Sequence, residues 1–181
     1  VSVDIGSYDR RETRLVLSGP LTDKLRVRAA ISDEVSDGYI ENISPVAPRK
    51  DLMYDDSTSL RLSAEYDVAD NLELFVSGYW YEDTGSSTVY TVTGEFDRTS
   101  PYYVTLPADY VNPTELDPYK SRADSPHEDY DFGQGVSLDL TWDVGGITVK
   151  SLNAYNESRS ELILDLDMTD TVPTVEWGNF V

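Results

Sequence analysis

A hydrophobic period of two residues recurs along this chain, and it restricts the fold more than any other feature. In Leu25-Arg26-Val27-Arg28-Ala29-Ala30-Ile31-Ser32 the odd positions are apolar and the even ones mostly charged or small. A β-strand sends successive side chains to opposite faces, whereas a helix would repeat its apolar stripe every 3.6 residues. Leu60-Arg61-Leu62-Ser63-Ala64-Glu65-Tyr66 and Val136-Ser137-Leu138-Asp139-Leu140-Thr141-Trp142 follow the same rule. In Leu72-Glu73-Leu74-Phe75-Val76-Ser77-Gly78-Tyr79-Trp80-Tyr81 one face is continuously apolar and the other mixes Glu73 and Ser77 with aromatics. Thr13-Arg14-Leu15-Val16-Leu17-Ser18 and the opening Val1 to Ser7 fit more loosely. Ile147-Thr148-Val149-Lys150 begins a last clear strand, beyond which the alternation blurs. The pattern predicts about seven strands and no helix.

The connections carry the second signal. Segments 19–24, 67–71 and 143–146 are tight and rich in Gly, Pro, Asp, Asn and Thr, which set turn dihedrals at little cost. Between them lie two long stretches without sustained periodicity, 37–57 and 84–131, the second rich in Pro, Tyr and Asp. From Gly19 onward the order is short, long, short, long, short. In an antiparallel meander every other connection emerges on the same side. A transmembrane barrel sorts short turns to the periplasm and long loops to the exterior, and a soluble sandwich has no reason to sort by parity. The first external connection, near Tyr8 to Glu12, is a short exception.

With the tight turns placed inside, Tyr66 and Trp142 fall at the periplasmic ends of their strands, and Tyr79, Trp80 and Tyr81 near the outer end of theirs. Those are the two levels of an aromatic girdle. Each clear strand spans about 8–12 residues, close to the roughly 9–11 that cross hydrocarbon at a tilt. The expected fold is therefore all-β: an antiparallel meander over residues 1–181 that forms part of a large transmembrane β-barrel, with external loops at about 37–57 and 84–131.

Composition removes several classes. Fourteen Lys+Arg against 34 Asp+Glu give a formal charge of −20, which nucleic-acid phosphates would repel. Without cysteine there are no disulfides, thiolate zinc sites or cysteine nucleophiles. No apolar run reaches the length of about 18 residues that a membrane helix needs, and no signal peptide is visible. The chain opens directly on alternating residues, which is expected of a piece cut from something longer.

Several ordered segments resemble the TonB-dependent outer-membrane receptors. Gly6-Ser7-Tyr8-Asp9-Arg10-Arg11 looks like the turn between that family's first two barrel strands. Ser18-Gly19-Pro20-Leu21-Thr22-Asp23-Lys24-Leu25-Arg26-Val27-Arg28-Ala29-Ala30 is similar to its "GPL-D-LR-R-A" periplasmic hairpin. Asp37-Gly38-Tyr39-Ile40-Glu41-Asn42 resembles the entry to the second external loop. Gly146-Ile147-Thr148-Val149-Lys150-Ser151-Leu152-Asn153-Ala154-Tyr155 is similar to the "GLTLTSITAY" strand, and Leu164-Asp165-Leu166-Asp167 to the acidic pair that often follows. The likeness covers nearly the whole chain in the family's order, and its specificity lies in that order. Plug and TonB box are not among these residues, and about a third of the roughly 22 strands of such a barrel is represented. The resemblance implies a segment of an outer-membrane transporter that imports a scarce bulky ligand, such as a ferric siderophore, a cobalamin or an oligosaccharide. It implies outer-membrane lipid, the plug, the remaining strands and, through the plug, the TonB complex as partners.

Candidate site residues follow. Arg26, Arg28, Arg61, Glu65, Glu73, Asp139 and Lys150 face the lumen if the apolar set meets lipid. They either touch plug and ligand path or form a wet wall of compensating charges, the ordinary state of such a wall. In the long acidic loop, Tyr90, Tyr102, Tyr103, Tyr110, Tyr119 and Tyr130 form either a ligand-capturing lid or a solvated surface. Asp165, Asp167 and Asp170 have oxygen-ligand spacing but lack the glycine and terminal Glu of a calcium loop, so no metal is expected. His127 lies near Ser121 and Ser125, but nothing resembles a nucleophile elbow or an ordered triad. Neither catalysis nor a cofactor is expected. From a different class, a soluble acidic β-sandwich adhesion or carbohydrate-binding module would share the alternation, with its apolar faces buried against a second sheet.

Overall fold

The computed structural model describes residues 1–86, 88–89 and 117–165. Among them are ten strands and no helix: β1 (Ser2–Ile5), β2 (Arg11–Pro20), β3 (Leu25–Ser36), β4 (Ile40–Asn42), β5 (Asp51–Leu52), β6 (Asp55–Ala69), β7 (Leu72–Gly85), β8 (Lys120–Ser121), β9 (Glu128–Val144) and β10 (Ile147–Ile163). Seven form one antiparallel sheet in the order β1-β2-β3-β6-β7-β9-β10. The chain divides into two compact units, one of residues 1–35, 56–83 and 131–159, the other of residues 36–55, 84–130 and 160–181.

In the first unit, register separates the side chains. Leu15 pairs with Ile31, Leu17 with Ala29 and Gly19 with Val27, so these residues share one face. Ser18 with Arg28 and Pro20 with Arg26 belong to the other. A Thr58 hydroxyl donating 2.9 Å to Asp33 puts Leu60, Leu62 and Ala64 on the apolar side, because Asp33 is in step with Ile31. The 2.8 Å contact between Ser77 and Ser137 hydroxyls assigns Glu73 and Asp139 to the polar side and Val136 and Leu138 to the apolar one.

The three tight turns gather at one end. The Asp67 amide donates 2.9 Å to the Lys24 carbonyl, and the Asp143 amide donates 2.9 Å to that of Asn71. The Asn71 side chain returns a 2.8 Å bond to the Asp143 carbonyl. Thr22 closes the first turn by accepting from the amides of Lys24 and Leu25 at 3.2 and 3.1 Å. Gly145 and Gly146 take φ of 55° and 89°, the paired left-handed residues of a two-residue hairpin turn.

The strands run longer than the sequence predicts. Strands β6, β7, β9 and β10 have 15, 14, 17 and 17 residues. Alternation fades at Tyr79-Trp80-Tyr81, where both faces are aromatic, and after Lys150, where both are largely polar. The backbone ladder depends on neighbouring strands and continues through both places.

Where the sequence shows only two long connections without periodicity, the second unit contains short strands. Strands β5, β4 and β8 form a small sheet in that order, with β4 antiparallel to β5 and parallel to β8. The Glu41 amide donates 2.9 Å to the Tyr119 carbonyl and the Ile43 amide 2.8 Å to that of Ser121. Strands of two or three residues carry too little pattern for a periodicity argument. Among the described residues of this unit, Ile40, Leu52 and Ala123 are buried hydrophobics, beside the buried polar Asn42, Ser44, Ser121, Ser125, His127 and Asp165. Buried polar groups of this kind must be hydrogen-bonded to be tolerated, and bonding ties the described residues of this unit together.

Candidate functional site

The polar face of the large sheet brings several of the charged candidates together. Arg26 grips Asp67 with both guanidinium nitrogens, at 2.9 and 2.8 Å, and reaches Glu65 at 2.8 Å. Oxygens of Glu65, Asp67 and Glu73 lie within 4.8 Å of one another, and the Arg26 fork supplies the compensating cation there. Arg28 is in step with Arg26 along β3, and Arg61 with Glu65 along β6, so both belong to this face. Near the other strand ends, buried Glu12 accepts from Arg10 at 3.0 Å and is also paired with Arg14. Arg10 additionally donates 2.7 Å to Glu34.

Farther across the same face, Tyr79 and Tyr81 stand on β7 with near-parallel rings, 13° apart and 6.3 Å between centroids. They meet glycines of β9. A Cβ built on Gly133 would come within 2.4 Å of the Tyr81 ring, and one on Gly135 within 2.7 Å of the Tyr79 ring. The Tyr79 phenol continues to Asn156 on β10, donating 3.0 Å to its Oδ1. Local sequence pattern does not single out Gly133, Gly135 or Asn156. The available signal is two glycines spaced by two within a strand, matched to two tyrosines spaced by two in its neighbour.

In the second unit, Asn42 donates 2.9 Å to the Ala123 carbonyl and accepts 3.2 Å from the Ser44 amide. Asp165 accepts from the amides of Asp124 and Ser125 at 3.0 and 3.4 Å, which makes it a loop-fastening group. His127, 2% exposed, is held below its usual pKa by burial, against the pull of Asp165. Burial raises the Tyr54 phenol, whose ring lies 3.6 Å from the Arg49 guanidinium. A cavity of about 200 Å³ opens here, lined by Asn42, Arg49, Tyr54, Ser125 and His127. Ser125 and His127 thus share a cavity, and Asp165 acts on the imidazole while also accepting from backbone amides.

Of the loop tyrosines, Tyr119 is 61% exposed and Tyr130 is half-buried. Tyr90, Tyr102, Tyr103 and Tyr110 lie outside the described residues, as do Asp167 and Asp170. A scan against protein-family models and a search of curated proteins find no match for this chain.

Proposed function

We propose that this chain is a wall segment of an outer-membrane β-barrel transporter of the TonB-dependent kind, whose mechanism is ligand binding and gated passage without bond chemistry. The observation that carries the reading is the uncovered apolar face: Leu17, Leu62, Val136 and Trp142 are 62%, 50%, 50% and 45% exposed. A sheet that leaves such residues open on one side, with ion pairs on the other, suits a lipid neighbour outside and water inside. A sandwich would need a second sheet over these side chains, and their exposure gives that alternative no support. The clustered tight turns fit the periplasmic rim of such a barrel. The family name and the imported ligand rest on the sequence resemblance, with plug and TonB complex as the partners it implies.

These 181 residues contain no cysteine, and any cysteine elsewhere in the full protein is first replaced by serine. Leu62→Cys and Ser63→Cys are introduced separately into the full protein, and intact outer membranes are treated with a water-soluble or a lipid-soluble maleimide. Leu62→Cys should react with the lipid-soluble reagent and resist the aqueous one, and Ser63→Cys should do the reverse. Equal aqueous labelling at both positions, or a protein found in the soluble fraction, would reject a membrane wall.

A further inference from the structure

The polar face carries a cleft of about 310 Å³, lined by Arg14, Ser32, Ser59, Arg61, Tyr79 and Tyr81. That volume lies at the small end of ligand pockets. Its chemistry is set first by an imbalance of charge. The chain has 34 acidic side chains for 14 Lys+Arg, and Arg10 and Arg26 on this face are each matched by carboxylates. Arg61 pairs with no carboxylate among the described residues. A guanidinium left open where acids are abundant is a fork available to an outside anion. Arg14 stands in the same cleft with one of its nitrogens engaged by Glu12.

The second feature is preorganisation. Tyr79 and Tyr81 are seated on glycines, and the Tyr79 phenol is tied to Asn156, so their rings are fixed before any ligand arrives. A rigid aromatic surface contributes contact area with little loss of side-chain freedom. Ser32 and Ser59 add hydroxyls that both donate and accept.

We propose that this cleft binds a carboxylate-bearing saccharide. The sugar carboxylate takes the Arg61 fork, with Arg14 as a second cation. The C–H face of the sugar ring lies against the tyrosine surface, and its hydroxyls exchange hydrogen bonds with Ser32 and Ser59. The polar face on which Arg10 and Arg26 are matched by carboxylates thus includes a recognition subsite. The inference rests on the transporter reading only in taking this face as the wall of a water-filled passage.

The test titrates the full protein in detergent with trigalacturonate, trimannuronate and the neutral methyl ester of each, by calorimetry at low salt. Either acidic trimer should bind at least about tenfold more tightly than its ester, and added salt should narrow the gap. Arg61→Gln should abolish the preference, Arg61→Lys should restore part of it, and Ser59→Trp should block the cleft for acid and ester alike. Circular-dichroism melts identify folded variants. Should Arg61→Gln not fold, Arg14→Gln and Ser59→Trp decide the matter by the same preference. Binding of neither acid, equal binding of acid and ester, or an unchanged preference in folded Arg61→Gln would each overturn the proposal. A membrane-embedded protein that binds neither acid sinks the cleft alone. A soluble protein that binds the acid sinks the membrane reading and leaves the cleft.

Discussion

The Tyr79 hydroxyl on β7 is bonded at 3.0 Å to Asn156 on β10, reaching across β9 at a residue that has no side chain. Gly135 is therefore a space requirement. A methyl group there would come 2.4 Å from the Asn156 amide oxygen, 2.7 Å from the Tyr79 ring and 2.9 Å from the Tyr155 carbonyl, and the last belongs to a paired backbone that cannot yield cheaply. Gly135→Ala should cost about 1–3 kcal/mol, the usual range for overpacking. Gly19, where a methyl group would meet nothing within 4 Å, is the control. Its replacement by Ala should stay within about 0.5 kcal/mol of the parent. Urea unfolding of both variants in detergent measures the difference, and equal midpoints would mean the ring is not seated on Gly135.

That seat shows where sequence reasoning ends. Period two in Leu25 to Ser32 or Leu60 to Tyr66 encodes strand and face locally, and the Gly, Pro, Asp and Asn of the tight segments encode turns, so sheet and turns were legible. Tyr79, Gly135 and Asn156 meet through pairing among three strands, information that no local window holds. The same applies to Asn42 and Ala123, hydrogen-bonded across 81 positions, and to the burial of His127 in a stretch that reads as polar loop. The cleft residue Arg61 is legible as a charge on the polar face of its strand, but pairing partners come from the fold. A sequence cannot tell matched Arg26 from open Arg61.

The apolar face gives a prediction about neighbouring residues of one strand. Leu62, half exposed and in step with Leu60 and Ala64, should face hydrocarbon in the intact protein, and Ser63 should not. Leu62→Arg should cost roughly 2–4 kcal/mol near mid-membrane, with a much smaller loss for Ser63→Arg. Folding titrations into lipid vesicles compare the two, and equal losses would contradict the assignment of faces.

Two turns of similar conformation carry different residues. Gly145 and Gly146 adopt positive φ, and so do Tyr8 at 60° and Asp9 at 50° in the turn closed by a Gly6 amide bond of 2.9 Å to Arg10. A left-handed residue with a Cβ costs roughly 1–2 kcal/mol, partly relieved for Asp by local hydrogen bonding. Gly146→Val should therefore lower the melting temperature, and Asp9→Gly should hold or raise it. Parallel thermal melts check both directions, and the opposite order would show that these dihedrals do not limit stability.

Acid should loosen the second unit through His127. Burial holds the folded imidazole below its ordinary pKa, so the unfolded form binds the proton more readily. The neutral imidazole's stabilising contribution is complete above about pH 6.5 and is lost as pH falls from there to the folded value. Asp165 opposes this, and Arg49, Tyr54 and Glu128 are the other titratable side chains lining the cavity. Hydrogen exchange at the amides of Glu41, Ile43 and Lys120 should accelerate relative to the sheet amides between pH 7.5 and 5. His127→Gln should flatten that dependence. Unchanged relative protection in the parent would remove the imidazole from this role.

Among the described residues the sheet ends in β1 on one side and β10 on the other, and β10 is the greater hazard. It runs 17 residues, most of them exposed, and its outer edge has no partner strand among the described residues. Such an edge presents a row of N–H and C=O groups that water satisfies but that also templates pairing with another chain. In hydrocarbon the same groups would be forbidden, each costing several kcal/mol. The chain's charge of −20 favours solubility but satisfies no hydrogen bond along an edge. The 181 residues expressed alone should therefore aggregate or remain poorly ordered, and should show neither ligand binding nor transport. Size-exclusion chromatography and thermal melting of that segment provide the check. A soluble monomer with a single cooperative transition would establish a self-contained domain and return the balance to the sandwich, because a sheet edge and an open apolar face stable in water need no lipid and no further strands.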